Sequence, residues 1–432
     1  MKIKHFNNSF FQLKTKKVNL VCDPWLGKME STATWSFPNI TPNLNIINKL
    51  NPDIIYISHL HTDHYDEKLL KRVKNKKIKI IIKNFPDKKL KKLIENLGFS
   101  NILELDAWKN YKFYDLEFTL IPMEAGNSGG LAQDLNYDLD TSMLFHDKIT
   151  NVTFYNNVDN PILLSTAKKI KTIIKKKYKK LDIIALGPRS ASAYPQCFIN
   201  SNKLTEKKKI IKKTFLKTKK ILDILRPDYF IPAGGSYHIY GKYMKLQNHV
   251  AHPTNSEIAE YFKKLNTKII FMDCGSEIKG PKFENNFKKG FLTKKNLLKL
   301  KNYKYDYQNM KVPKNLDNLF LQAKKKYFLI LTKLKIQPKW KIKIFLYNDI
   351  KINKNYSIND IGKFEKLYEL HDEKIKKKSQ ILNCYMDKNL FYSLLNRKYN
   401  WTMAYGGSLI FFSRTPNIHK PDVLNSLNFL QA

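Results

Sequence analysis

Tyr56-Ile57-Ser58-His59-Leu60-His61-Thr62-Asp63-His64-Tyr65-Asp66 decides the reading of this chain. An apolar, β-branched run, Ile54 to Ile57, leads into it and is opened by Asn51-Pro52-Asp53, which predicts a short buried strand. Three imidazoles and a carboxylate then follow within six residues, although the chain has only 10 histidines. On an extended segment His59 and His61 point the same way, because side chains repeat every two residues. Asp63 and His64 fall where the chain turns, so they can face a second point a few Å away. Neutral imidazole together with carboxylate suits Zn²⁺, Fe or Mn²⁺ rather than Ca²⁺. A polar loop that happens to be rich in histidine is the bland alternative, and the crowding at a defined spacing argues against it.

His-x-His-x-Asp-His resembles the signature of the metallo-β-lactamase superfamily. Members of that family place an aspartate at a strand end before the motif, and Val18-Asn19-Leu20-Val21-Cys22-Asp23-Pro24-Trp25-Leu26 is similar. The resemblance implies an α/β (α+β) fold, an αββα sandwich with the metal site at one edge between the two sheets. It also implies a role for Asp23 in orienting a metal-ligating imidazole. Asp159 closes the run Val152-Thr153-Phe154-Tyr155-Asn156-Asn157-Val158 and matches the place of the family's metal-bridging aspartate. His238, after the Gly234-Gly235 turn, matches the place of its last ligand. The ligand set implied is therefore His59, His61, Asp63, His64, Asp159 and His238, for one or two Zn²⁺, with Fe or Mn as alternatives, and Asp63 is also the catalytic candidate.

Typical members carry a further ligating histidine where this chain has none, between His64 and His146. Glu124, Asn127 or Asp140 could substitute, and nothing in the sequence selects among them. His146 sits in a strand entering a hairpin turn and reads as exposed and structural. His249 and His252, close to Pro253, read as surface residues. Leu181 to Leu186 reads as a buried strand running into Gly187-Pro188-Arg189-Ser190-Ala191-Ser192-Ala193-Tyr194-Pro195. This small-residue loop makes Arg189 and Tyr194 candidates for substrate binding.

That loop, the Asp-Pro-Trp-Leu start and the block from Leu225 to Tyr237 resemble one branch of the superfamily. It is the metallo-β-lactamase-like domain of CMP-N-acetylneuraminate hydroxylase and its bacterial relatives. The branch contains oxidative enzymes of nucleotide-activated amino sugars, in which a Rieske domain brings electrons. The present sequence has no Cys-x-His with Cys-x-x-His pattern to hold that cluster. An electron-transfer partner is then implied only if the chain is an oxygenase component.

The rest of the chain supplies strands and helices in a mixed order. Phe6 to Leu13 and Val18 to Cys22 read as strands, as do Ile78 to Ile82, Ile102 to Leu105 and Phe113 to Pro122. Asp66 to Arg72 and Lys88 to Leu97 read as helices. Residues 1–275 are expected to form the metallo-β-lactamase-like domain, 276–315 a linker and 316–432 a small C-terminal α+β module. That module, sterol-carrier-like in pattern, is expected to cap the active-site cleft or to hold a homo-oligomer. Trp35-Ser36-Phe37-Pro38 reads as a packed loop.

The chain has 432 residues and a formal net charge of +41, which invites a nucleic-acid reading. Arginine occurs only at 72, 189, 226, 397 and 414, so 73 of the 78 basic residues (78 − 5) are lysine. Readers of nucleic acid lean on the bidentate arginine fork. The excess looks like the codon bias of an AT-rich genome, so no specific nucleic-acid partner is expected, although anionic small molecules should be attracted at low salt. The four cysteines lack metal-type spacing and read as reduced thiols of a cytoplasmic protein. No apolar run is long enough to span a membrane. Three functions follow: a metal-dependent hydrolase acting on a carbonyl or phosphoryl centre, an Fe-dependent oxygenase component for sugar nucleotides, or a binding module with a degraded metal site.

Overall fold

The computed structural model describes residues 1–26, 45–124, 140–157, 159–189, 192–234, 237–272, 275–280, 284–286, 298, 301–336, 340–352, 361–370, 380–418 and 421–432. Two large sheets stack face to face. The first has the order β15-β14-β1-β2-β3-β4-β5-β6. Its strands are β1 (Lys2–Asn7), β2 (Phe10–Lys14), β3 (Asn19–Cys22), β4 (Ile54–Tyr56), β5 (Lys79–Lys83), β6 (Ile102–Leu105), β14 (Glu277–Lys279) and β15 (Glu284–Asn286). The second has the order β13-β12-β11-β10-β9-β8-β7. It is built from β7 (Asn110–Phe113), β8 (Leu116–Pro122), β9 (Thr141–Asp147), β10 (Val152–Asn156), β11 (Ile183–Leu186), β12 (Tyr229–Pro232) and β13 (Lys268–Ile269). Each sheet changes from antiparallel to parallel partway across, at β3–β4 in the first and at β10–β11 in the second.

Alternation along the strands makes the layers. In β4, Ile54 and Tyr56 join the core between the sheets, while Ile55 faces the other way. In β10, Phe154 turns inward and Tyr155 outward. Outward residues of the first sheet meet Leu69, Leu70, Leu90 and Ile94 of the helices Glu67–Lys71 and Lys89–Asn96. Those of the second meet the helices Leu164–Lys177, Lys203–Leu225 and Asn255–Phe262. Both faces of both sheets are therefore covered, which is why β5 and β11 read as unbroken apolar runs. Each fully buried Ile or Phe contributes roughly 1.5–3 kcal/mol to this αββα sandwich.

Two local readings of the sequence need correction. Phe6 to Leu13 is not one strand: it is split by a turn at Asn8 and Ser9, with Asn8 at φ 41°. Asparagine tolerates this left-handed conformation better than other side chains. The start of the segment read as a linker instead supplies β14, which pairs with β1.

A third sheet, β17-β16-β18-β19, follows. Its strands are β16 (Trp340–Tyr347), β17 (Lys366–Leu370), β18 (Gln380–Asp387) and β19 (Phe411–Thr415). The helices Leu316–Lys333 and Lys388–Leu395 pack on it. Its core is continuous with Ala193, Cys197, Phe198, Tyr237, Tyr240 and Tyr243. The expected division at 275 thus runs across a shared core. Phe198 bridges to Phe412, and Phe412 N donates to Cys197 O at 2.8 Å.

Candidate metal centre

The centre forms at one edge of the sandwich, where β3, β4 and β10 end and β9 begins. Asp23 follows β3 at φ 42°, and its backbone N–H donates to Tyr56 O at 2.8 Å. Its carboxylate accepts from Ser58 N at 2.7 Å and from Ser58 Oγ at 2.8 Å. The second sheet is clipped to the same loop by Thr141, whose hydroxyl donates to Ser58 O at 2.7 Å. Asp66 ends the loop by capping the next helix, accepting from Leu69 N at 3.0 Å.

Two triads lie within this frame. His59, His61 and Asp140 form one, and Asp63, His64 and Asp159 the other; within each triad one ligand atom per residue lies within 4.8 Å of the other two. In the first, His59 Nε2 stands 2.7 Å from His61 Nδ1 and 3.2 Å from Asp140 Oδ1. In the second, His64 Nε2 stands 3.3 Å from Asp63 Oδ2 and 3.2 Å from Asp159 Oδ2. The far side of each imidazole is anchored. His64 Nδ1 lies 3.1 Å from Asp23 Oδ2, and His59 Nδ1 lies 3.0 Å from Ser58 Oγ. A carboxylate can only accept, so Nδ1 of His64 carries the proton and Nε2 turns its lone pair toward two more carboxylates. Acceptors aimed at one another are the arrangement that a cation satisfies, so the donor set fits a metal ion.

Electrostatics agree with this. Burial pushes the imidazole of His59 well below its ordinary pKa, with His64 and His61 adding to the effect, and a neutral imidazole is the ligating form. Burial opposes charge on His64, yet Asp63 and Asp23 raise its pKa well above the ordinary value, and a cation bound between Nε2 and the carboxylates would take the place of that second proton. Asp63 is desolvated, and the imidazole of His64 still holds its carboxyl below the usual range. Burial raises Asp140 against the pull of His61 and His64. The pocket is one of negative field.

The sequence candidates divide clearly. His59, His61, Asp63, His64 and Asp159 are brought together, with Asp23 behind them. His238 joins neither triad; it is half-buried on the segment after the Gly234 turn, where desolvation lowers its pKa. Of the three open substitutes, Asp140 stands in the first triad. Glu124 instead accepts from Ser165 Oγ at 3.2 Å, and Asn127 lies outside the described residues, as does the Trp35–Phe37 loop. Arg189 donates to Pro232 O at 3.1 Å and to Asn255 Oδ1 at 2.9 Å, bracing its loop. Tyr194 donates to Glu206 Oε2 at 2.8 Å and lies under the guanidinium of Arg414.

His146 is buried rather than exposed, because Tyr178 stacks on its ring at 4.3 Å. His249 and His252 are half-buried, the latter edge-on to Tyr237 at 4.6 Å.

Sequence reading missed the turn Asn7-Asn8-Ser9, all of it buried. Asn8 Nδ2 donates to Asp63 Oδ2 at 3.1 Å. Asn8 Oδ1, the Asn7 amide and the Ser9 hydroxyl are buried beside it without a hydrogen-bond partner among the described residues. The clue available was the Asn-Asn-Ser tripeptide, which is a turn signature.

An αββα sandwich with paired His/Asp triads at its edge is the arrangement that the resemblance to the metallo-β-lactamase superfamily implies. Residues 2–156 match the family model of the beta-lactamase superfamily domain. Over 202 residues it is 25% identical to a protein of Mycolicibacterium smegmatis provisionally named a Rieske 2Fe-2S iron-sulfur protein, covering 46% of this chain. A similarly named protein of Mycobacterium tuberculosis is 23% identical over 202 residues. The match spans 36% of the length of each of these curated relatives. Among solved structures, an isothiocyanate hydrolase from Delia radicum gut bacteria is similar at TM-score 0.44 and 19% identity, covering 65% of this chain and 99% of that one. CmlA, a diiron beta-hydroxylase from Streptomyces venezuelae, is similar at TM-score 0.41 and 16% identity, covering 62% and 52%.

Proposed function

We propose that the protein is a metal-dependent hydrolase acting on the carbonyl or phosphoryl centre of an anionic small molecule, a sugar nucleotide being one candidate. The carrying observation is the pair of triads, His59-His61-Asp140 and Asp63-His64-Asp159, set side by side at the sandwich edge with the rings of His59 and His64 4.1 Å apart. Bound there, a Zn²⁺ or Fe ion would polarise the substrate and bring the pKa of a water to about 7. Asn8 fixes Oδ2 of Asp63, which leaves Oδ1 to take the proton of the attacking water. His61 and Thr62 are exposed, so the substrate enters past them.

One observation favours a second reading. Asp140 makes the first triad two histidines and one carboxylate, a donor set suited to non-haem iron. On this reading the protein is an iron-dependent oxygenase component that needs an electron carrier; the curated relatives bear the name of one such carrier, a Rieske 2Fe-2S iron-sulfur protein.

Reconstitution of the full chain with Zn²⁺ or with Fe²⁺, followed by assay on activated esters, lactones and phosphodiesters, separates the two. Hydrolysis with Zn²⁺ that His61→Ala abolishes supports the first reading. Oxygen uptake that depends on Fe²⁺ and an added reductant, with no hydrolysis under either metal, replaces it with the second.

A further inference from the structure

Thr62 lies between His61 and Asp63, one residue from each triad, and it is exposed. Its hydroxyl meets a side chain from the far end of the sequence, Met403 Sδ, at 3.7 Å. Met403 belongs to the short helix Trp401–Gly406, which leads toward β19 of the third sheet. The C-terminal part of the chain therefore reaches the mouth of the metal centre.

That helix is held firmly. Asn400 Oδ1 accepts from Thr402 N at 2.8 Å and from Met403 N at 3.3 Å. The buried Trp401 donates through Nε1 to Leu430 O at 3.1 Å. On the sandwich side, Ser192 Oγ lies 3.2 Å from Tyr405 OH, and Gln196 donates to Ser408 Oγ at 3.3 Å. Fixed at both ends and tied to the 192–196 loop, the helix is a rigid edge.

Its composition departs from the rest of the molecule. Charged residues make up 27% of the chain, yet none occurs in the 15 residues from Tyr399 to Ser413 (399–413 inclusive). Most of this segment is buried, and the few residues it leaves at the surface, among them Asn400, Thr402 and Met403, are uncharged as well. Met403 is half-buried against Thr62, so its thioether borders the opening, while the exposed Thr402 accepts from Asn428 Nδ2 at 2.7 Å. Methionine is an adaptable apolar contact.

We propose that the Trp401–Gly406 helix is one wall of the substrate cleft, and that Met403 selects a substrate whose non-reacting part is uncharged and apolar. The inference rests on the reading of the triads as a metal centre. Specificity would then lie in the C-terminal module while the reacting groups lie in the sandwich, and the reacting end of the substrate can still be anionic.

The test is entry to the site. The full-length protein is loaded with Co²⁺, and second-order rate constants are measured for its removal by EDTA, bulky and anionic, and by 1,10-phenanthroline, flat and uncharged. Met403→Ala should leave the Co²⁺ content unchanged and speed removal by EDTA about fivefold, a small change in barrier. Met403→Trp should slow both chelators. Equal rates in wild type and both variants, at equal Co²⁺ content, would overturn the wall while leaving the metal centre standing. Loss of Co²⁺ from Met403→Ala itself would also overturn it, by assigning Met403 to holding the ligand loop. A wild-type protein that takes up no Co²⁺ would remove the metal centre and the wall together.

Discussion

Asn8 holds Asp63 by one amide hydrogen bond of 3.1 Å, from a position 55 residues earlier in the chain. Deleting that amide frees the carboxylate to rotate. Because Asn8 sits at φ 41°, Asn8→Gly keeps the backbone conformation and removes only the side chain. Metal affinity at the Asp63-His64-Asp159 triad should fall roughly 10–100-fold, the usual cost of losing a group that orients a ligand. Affinity at the His59-His61-Asp140 triad should stay near wild type, and a metal titration of the apoprotein distinguishes the two. At this scale the sequence was legible where chemistry is contiguous. His59, His61, Asp63 and His64 share one loop, so spacing alone singles them out. Asp140 arrives from the start of β9 and could only be narrowed to one of three, because a lone carboxylate in a loop carries no pattern. Asn8 looked like one more strand residue.

Whole elements were legible where the apolar period was clean and opaque where one residue broke it. The short apolar runs of β4, β5 and β11 placed strands in both sheets. The β1–β2 turn did not show, because Phe6, Phe10, Phe11 and Leu13 read through it as one apolar stretch. β9 gives a second case. Its His146 follows an apolar run near a turn, which suggests exposure, yet the helix Leu164–Lys177 leads to Tyr178, which covers it. Burial lowers the His146 pKa, against the opposing pull of Glu117 and Asp147. The folded pKa thus lies below the unfolded value, and the unfolded chain binds more protons in the window between them. His146 accordingly contributes stability that is fully present above about pH 6.5 and is lost as pH falls through the folded value. The thermal midpoint of the wild type should drop more steeply below that pH than the midpoint of His146→Phe. Parallel curves for the two proteins would show that the ring is not desolvated.

The molecule as a whole carries +41, and its surface ion pairs are mostly lysine with Asp or Glu at partly exposed positions. Such pairs are each worth little, so the charge acts mainly as a long-range field. Nucleic acid should bind weakly, without sequence preference, and release by about 200 mM salt. A complex that survives that salt in a filter or gel assay would refute the codon-bias reading of the lysines. Among the described residues no helix is long and apolar enough to cross a membrane. The sandwich was legible at this scale because a dense motif fixes its active edge. The join to the third sheet was not, because it depends on Phe198 meeting Phe412 and Tyr243 meeting Phe411, contacts that no local pattern announces.

The central claim is that two adjacent His/Asp triads each hold a metal ion. Titrating the apoprotein with Zn²⁺ or Fe²⁺ tests it most directly, alongside His59→Ala/His61→Ala and Asp63→Ala/Asp159→Ala. The wild type should show two sites of separable affinity, and each double variant should keep the site it leaves intact while remaining folded by circular dichroism. No stoichiometric uptake by the wild type, or full uptake by either double variant, would contradict the account.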